Sequence, residues 1–421
     1  MKNNSIKIYP PIYKDKVLWI TLCFYLIAFT DFVSDYIPVS ISKVIIYTIA
    51  IALIWGYSKK EKSKFFRIQL VRYVVIPYLI LLLIRLVFDF VLMGKGFSIY
   101  GNSYTIIYFY LNALLIPVLF YSRYKIDLNI VSFCMLSACV MSICFLISID
   151  KIIVESVASV TTGGQYDAGG HLDIISYGQY SCALSLIGTY LLFFYGRNKK
   201  LLLFSIIFIA VGITGIVLSA ARSAFVGLFI GVGYLYICRF GNLKRIIIAI
   251  IALILLSNFF SSEIISFNDF LAENGFNGFN RIVETFFDKD SNILNQTNNR
   301  DYLYKMGFSL FLQNPIFGNS YLLPNGTYVH NIFIEQLMAL GLIGGALFLY
   351  MNCALLKYSF IIAKHCPKYS VFSVLFIQNL IYGCFSMTVI GLTAYWLFAA
   401  LIINTYTNYK YEKRICNNPD I

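Results

Sequence analysis

Histidine is rare in this sequence, and one of its 3 copies, His330, stands where a polar stretch becomes a long apolar run. An imidazole has an unperturbed pKa of about 6.5, so it can accept a proton from a substrate near neutral pH. A histidine at a helix end can also do no more than hydrogen-bond a loop carbonyl, and residue type alone leaves both interpretations open. We take Asn331, the next residue, as a supporting residue of the same turn.

Several arginines point to an anionic ligand. Arg222 lies in the short turn Ser219–Ser223 between two apolar runs. A guanidinium binds phosphate oxygens through two parallel hydrogen bonds, and lipid pyrophosphate head groups lie at the depth of such a turn. An arginine at this depth can equally reach ordinary phospholipid head groups. Arg281 and Arg300 lie in a long polar stretch among acidic residues, where surface ion pairs are the ordinary explanation.

The composition is that of an integral membrane protein. Of the 421 residues, 59% are hydrophobic and 13% are charged, against about 25% charged residues in soluble domains. The net charge of +13 would suit nucleic acid, but Lys and Arg collect in short connections between apolar runs. That distribution is typical of membrane topology, so we expect no nucleic-acid partner. The sequence contains no CxxC pair, Walker motif or HExxH motif and predicts neither a metal site nor a nucleotide cofactor.

The apolar runs predict an all-α polytopic membrane protein. A spanning helix needs about 20 apolar residues to cross about 30 Å of hydrocarbon, and the sequence supplies about twelve such runs. Basic residues in every second connection predict that both termini are cytoplasmic. Arg85 and Asp89, one helical turn apart in the third run, are expected to pair. The predicted helices are 17–35, 38–57, 70–92, 104–121, 128–149, 174–195, 201–219, 223–238, 246–260, 330–350, 371–388 and 390–408.

The longest polar stretch, 261–329, separates the ninth predicted helix from the tenth. We expect residues 1–260 to form helices one to nine, and residues 330–421 to form helices ten to twelve with a cytoplasmic tail. Between them, 261–329 is predicted to be a periplasmic loop, because it falls on the side of the membrane opposite to the basic connections. A connection of that length is usually functional or disordered. It should contain short amphipathic helices lying on the membrane surface, one of them Arg300–Leu312. A second outer loop is expected at 150–173.

Several short motifs, taken in order, resemble the core of the O-antigen polymerase and ligase superfamily, which includes Wzy-type polysaccharide polymerases and WaaL-type ligases. The turn around Arg222 is similar to the Ser-Arg-Gly turn of that family, with Ser223 in place of the usual glycine. The resemblance covers about residues 201–350. The other motifs are Arg300 before an amphipathic segment, Asn314-Pro315-Ile316-Phe317-Gly318, His330-Asn331 and Gly341-Leu342-Ile343-Gly344.

The resemblance implies a glycosyltransferase at the outer face of the bacterial inner membrane. A Wzy-type polymerase moves a growing glycan from undecaprenyl pyrophosphate to a sugar hydroxyl of a new lipid-linked repeat unit, with inversion and without a metal or other cofactor. In this chain His330 would be the catalytic base, and Arg222, Arg300 and Arg281 would bind the pyrophosphate. The implied partners are lipid-linked oligosaccharides, the membrane, and the chain-length regulator and flippase proteins of lipopolysaccharide biosynthesis.

Three alternatives stay open at this stage. A ligase would pass the finished glycan to the lipid A core by the same chemistry. A polysaccharide flippase or other transporter should show internal two-fold similarity and a long inner loop after the sixth helix, where this chain has only residues 196–200. A non-catalytic assembly scaffold would tolerate loss of Arg222 and His330.

Overall fold

The computed structural model describes residues 25–29, 44–52, 68–96, 111–121, 130–161, 174–219, 221–241 and 300–417, together with positions 262, 265, 266, 269 and 270. Within these ranges the regular structure is helical and no strand is present, which confirms the all-α class for this part of the chain. Arg281, the predicted helix 246–260 and most of the predicted periplasmic loop before Arg300 lie outside the described residues.

Ten helices organise the described part of the chain, after short helical stretches at 25–28 and 44–52. Two of the ten adjoin π-helical turns, which lie at Val71–Val75, Val87–Leu92 and Leu111–Leu115. The helices are α1 (Val71–Leu92), α2 (Ile116–Tyr121), α3 (Ile130–Thr161), α4 (Ile174–Tyr195), α5 (Lys199–Ser219), α6 (Arg222–Phe240), α7 (Arg300–Gln313), α8 (Ile332–His365), α9 (Ser370–Phe385) and α10 (Thr393–Asn417).

Five of these helices are long and apolar enough to cross a membrane, counting only the described residues. They are α1, the first part of α3 (Ile130–Ile149), α5, α6 and α8. The chain is therefore a multi-pass membrane protein. The predicted number of twelve spans stays a prediction.

Helix α4 has the predicted bounds, but α3 does not end where predicted. It continues through residue 161, into the stretch 150–173 that is predicted to be a loop. Residues 150–161 contain neither glycine nor proline, and the first helix-breaking pair is Gly163-Gly164. The change from apolar to mixed composition after residue 149 does not end the helix, because no residue there disfavours helical backbone.

Hydrogen bonds between helices show which ends lie together. The Ser176 hydroxyl, near the start of α4, lies 2.8 Å from the Tyr382 hydroxyl, near the end of α9. The Gln179 amide of α4 donates to Ser223 of α6 at 2.8 Å. At the opposite end, Arg239 of α6 donates to a backbone carbonyl near the end of α4 at 2.9 Å. We call the end where α4 and α6 begin and α9 ends the site end of the bundle.

Helix α8 is broken at Gly341, whose φ of 64° and ψ of −161° are not helical. The amides of Leu342 and Ile343 therefore bond outside the helix, to the carbonyls of Pro315 at 2.8 Å and Ile316 at 3.5 Å. The segment Asn314–Gly318 thus docks into the break. The motif at 314–318 and the motif at 341–344 are therefore joined by backbone hydrogen bonds.

The pair Arg85–Asp89 of α1 holds the next part of the same loop. The two charged groups lie 3.6 Å apart, as the spacing predicts. The Arg85 guanidinium also donates to the Asn319 carbonyl at 2.8 Å, and Asp89 accepts from the Tyr321 amide at 2.6 Å. Asp89 is fully buried. These contacts pair two charged groups inside a predicted span, and they fix residues 317–321 against α1.

Candidate functional site

Arg300 and His330 meet at the turn that follows α9. The guanidinium of Arg300, the first residue of α7, lies 3.4 Å from the Ser386 hydroxyl. The His330 Nδ1 atom lies 3.4 Å from the Ser386 carbonyl. Two residues that are 30 positions apart in the sequence therefore converge on one residue of a third element. Ser386 was not identified from the sequence, because nothing in its surroundings distinguishes it from other small polar residues at helix ends.

The backbone of His330 is in an unusual conformation. Its φ of 62° makes it the one residue other than glycine with a positive φ among the described residues. This left-handed region is disfavoured for residues that carry a Cβ, and such residues cluster at functional sites. The Tyr328 ring lies against the imidazole, with 4.2 Å between ring centroids. One face of the imidazole is thus covered.

Asn331 forms the cap of α8 and ties it to α9. Its side-chain oxygen accepts hydrogen bonds from the amides of Phe333 and Ile334 at 3.0 and 3.1 Å. Its side-chain nitrogen donates to the Cys384 carbonyl at 3.1 Å. A cap of this kind satisfies amides that a helix start leaves unpaired. The geometry explains how Asn331 positions the residue before it.

The surroundings of His330 keep its imidazole uncharged. Its pKa is lowered from 6.5 to about 4, chiefly because the ring is buried and also because the charge of Arg300 is near; the hydrogen bond with the Ser386 carbonyl partly opposes both. A carbonyl can only accept, so the bond to it requires the proton on Nδ1. The lone pair is then on Nε2, which is the atom available to take a proton from a substrate.

This electrostatic arrangement predicts the titration of His330. Its ring should titrate near pH 4 in the folded protein, and Arg300→Gln should move its pKa upward by removing a repelling charge. Because the folded pKa lies below the unfolded value, this residue makes stability fall as pH drops from about 6.5 to about 4. NMR titration of labelled histidines in detergent measures it, and the His330→Asn variant identifies the signal among 3 histidines. A His330 signal that titrates near 6.5 would contradict the arrangement.

A buried polar network lies behind the site. Glu335, one turn into α8, is fully buried. One of its oxygens accepts from the Tyr321 hydroxyl at 2.6 Å and the Val389 amide at 3.0 Å. Tyr321 also lies 2.8 Å from the Thr388 hydroxyl. The network joins the loop held by α1 to the segment that contains Ser386. An acidic residue inside a predicted span was a usable signal for Glu335, whereas Tyr321 and Thr388 gave none.

Arg222 is half-buried at the first position of α6, at the site end of the bundle. Its neighbour Ser223 accepts from Gln179, which in turn accepts from Gln378 of α9 at 2.8 Å. These bonds place the start of α6 against the same helix whose end carries Ser386. Ala220 of the predicted turn lies outside the described residues.

A narrow cleft of about 30 Å³, partly open to solvent, lies between these two regions. Its walls include Gln179 and Gln378, next to the start of α6, and Met387, next to Ser386. In the described part of the chain, no group of three or more His, Cys, Asp or Glu side chains is placed to hold a metal ion. The cleft instead presents amide and hydroxyl groups.

The part of the chain that contains the candidate site is similar to a known protein family. Residues 207–349 match the model of the family described as O-antigen ligase. No curated protein matches the chain. The matched range contains Arg222, Arg300 and His330, and it ends within α8. The matched range agrees with the range of the motifs found in the sequence, and it supports a relation of this chain to the O-antigen polymerase and ligase superfamily.

Proposed function

We propose that the protein is a polysaccharide polymerase that acts on lipid-linked glycans at the periplasmic face of the inner membrane. It would transfer the growing glycan from undecaprenyl pyrophosphate to a sugar hydroxyl of a new lipid-linked repeat unit. The observation that carries the proposal is the meeting of Arg300 and His330 at Ser386, which sets a cation for the leaving group beside a neutral base. The family match supports the polymerase or ligase class as a whole.

In the proposed reaction, His330 accepts a proton and the arginines stabilise the leaving group. The acceptor hydroxyl attacks the anomeric carbon of the donor, and its proton passes to Nε2 of His330. The bond from that carbon to the pyrophosphate oxygen breaks, and its electron pair leaves with undecaprenyl pyrophosphate. Attack from the face opposite the leaving group inverts the anomeric centre. Pyrophosphate is a good leaving group, so the step needs charge stabilisation more than a metal-activated nucleophile.

Arg300 is suited to stabilise the departing charge. Among its contacts with described residues, one hydrogen bond is made, to Ser386, so the other N–H groups of the guanidinium can meet phosphate oxygens. Bound pyrophosphate would also offset the repulsion between Arg300 and a protonated His330. The base would therefore become stronger when the substrate is in place.

Arg222 is proposed as the second pyrophosphate ligand. A positive side chain at a helix start is unfavourable by itself, because the N-terminal end of the helix is already positive. Together, an arginine and a helix start favour an anion at the same place. Arg281 would be a third ligand and Asn331 the supporting residue. The site therefore faces the periplasm in this proposal, and both termini are cytoplasmic.

The alternative is the O-antigen ligase, which would pass the glycan to the lipid A core. The description of the matched family favours it specifically. Both reactions use the same donor and leaving group, so the two candidates differ only in the acceptor. Chain-length regulator and flippase proteins are proposed partners of the polymerase.

Two measurements test the proposal. Purified protein with a lipid-linked repeat unit should form longer lipid-linked glycans, and a chelator should leave the rate unchanged. Deleting the gene should leave single repeats attached to the core on a gel of the surface glycan if the protein is a polymerase, and no repeats if it is the ligase. Absence of any transfer from the pure lipid-linked unit, to either acceptor, would contradict both candidates.

A further inference from the structure

The cleft at the site end is lined by groups that recognise uncharged hydroxyl-bearing molecules. Among the described residues that line it, none carries a charge. Amides come from Gln179, Gln378 and Asn379, and rings come from Phe29 and Tyr180. Polar side chains that fix orientation, within otherwise apolar walls, are the usual composition of a small-molecule site.

The amides of the cleft form a hydrogen-bonded row with one direction. Asn379 donates to Gln378 at 3.0 Å, Gln378 donates to Gln179 at 2.8 Å, and Gln179 donates to Ser223 at 2.8 Å. All three amide side chains are buried. Such a row polarises itself, so its free ends bind more strongly than isolated groups. It leaves an acceptor at Asn379 and a hydroxyl donor at Ser223.

The acceptor end of the row is open for a ligand. The Asn379 side-chain nitrogen is used twice, by the Leu375 carbonyl and by Gln378. In the described part of the chain its side-chain oxygen accepts no hydrogen bond, and that oxygen is not among the fully enclosed polar atoms without a partner. It therefore borders the open space of the cleft. A sugar hydroxyl can donate to it, whereas a phosphate oxygen has no proton to give.

The position of the cleft selects which sugar it would hold. One wall adjoins Ser223, the residue after Arg222, and another contains Met387, the residue after Ser386. The cleft thus lies between the start of α6, which carries Arg222, and the turn that carries Ser386, the partner of Arg300. A sugar ring attached to a pyrophosphate bound by these arginines would lie at the mouth of the cleft. Because the space is only about 30 Å³, it suits the hydroxyl-bearing edge of one ring and not a longer glycan.

We propose that this cleft is the binding site for the first sugar of the lipid-linked glycan, the one attached to pyrophosphate, with the Asn379–Gln378–Gln179–Ser223 row as its hydrogen-bonding wall. The inference rests on the proposed function, since it takes pyrophosphate to lie beside Arg222 and Arg300. In this proposal the enzyme recognises the sugar attached to the pyrophosphate as well as the charge of the lipid carrier.

The test compares two probes on the full-length protein in detergent. One is undecaprenyl pyrophosphate, and the other is the lipid-linked repeat unit extracted from a strain that lacks the gene. Asn379→Leu keeps the size of the side chain and removes its amide, and Thr393→Val, elsewhere in the lining, is a milder variant. The control is Asn352→Leu in α8. Asn352 is a buried amide that also donates to the carbonyl four residues earlier, but it lies outside the lining.

Asn379→Leu is expected to weaken binding of the repeat-unit lipid about tenfold, the loss of roughly one good hydrogen bond, and to leave binding of undecaprenyl pyrophosphate unchanged. Thr393→Val should show a smaller change in the same direction, and Asn352→Leu should bind both probes like the wild type. Unchanged binding of both probes by Asn379→Leu would overturn the sugar site, and so would an equal loss for both. A wild-type protein that bound neither probe would overturn the proposed function itself.

Discussion

Replacing His330 with asparagine is expected to lower the turnover of a lipid-linked repeat unit by about 10²- to 10⁴-fold, the usual contribution of a general base. Asparagine tolerates a positive φ better than most residues, and its amide can still donate to the Ser386 carbonyl. The variant therefore keeps the backbone at 62° and loses only the lone pair that accepts a proton. The measurement is the single-turnover rate of purified protein with saturating substrate.

The control for this substitution lies on the same helix. His365 ends α8 at the opposite end of the bundle from His330, and its ring stacks on Tyr409 at 5.0 Å between centroids. His365→Asn should turn over substrate like the wild type. If His330→Asn kept full activity and a normal chain-length distribution, the base role would be wrong, and the positive φ of His330 would then be a structural feature only.

The second large effect is expected at the break in α8. Gly341→Ala should destabilise the protein, because its φ and ψ lie in a region that residues with a Cβ almost never occupy, at a cost of about 1–3 kcal/mol. An added Cβ would also lie 2.3 Å from the Ile316 carbonyl oxygen, a backbone atom that cannot simply rotate away. We expect a lower unfolding temperature in detergent. We also expect loss of turnover, because the segment Asn314–Gly318 would lose its hydrogen bonds to α8.

Gly233→Ala provides the matched control. Gly233 lies within α6, and a Cβ added there meets no atom within 4 Å. Alanine is favoured over glycine inside a helix by about 0.5–1 kcal/mol, so this variant should unfold at the same or a slightly higher temperature. Equal unfolding temperatures for Gly341→Ala and the wild type would show that α8 does not need the break to fold.

The sequence predicted the helices well wherever apolar composition and helix ends coincide. Helix α4 begins and ends at the predicted residues, and α7 begins at Arg300 as expected. The predicted helix ends were wrong where a helix continues beyond its apolar residues, as at the C-terminal ends of α3 and α8. Residues after 150 and after 350 still favour helix, and composition alone cannot separate a helix that leaves the membrane from one that stops.

The candidate site shows a similar division. Arg222 and His330 stand out in the sequence because each is a charged or titratable group at the end of an apolar run, whereas Arg300 lies in a polar stretch and stands out only through the family resemblance. Ser386 and the row from Asn379 to Ser223 were not, because uncharged polar residues inside helices are common and their meaning depends on which helices pack together. The role of Gly341 was equally hidden, since its conformation is imposed by a loop more than 20 residues earlier in the chain.

The hydrogen bonds from Arg85 to residues 317–319 have a consequence for biogenesis. These partners are separated by more than 230 positions, so α1 leaves the ribosome long before the carbonyls that receive its guanidinium exist. A charged side chain at mid-membrane costs about 2.5–3.5 kcal/mol during insertion, and until then Arg85 and Asp89 must neutralise each other. The hydrogen bonds that hold Arg85 in the folded protein can therefore form only after the C-terminal third of the chain has been made.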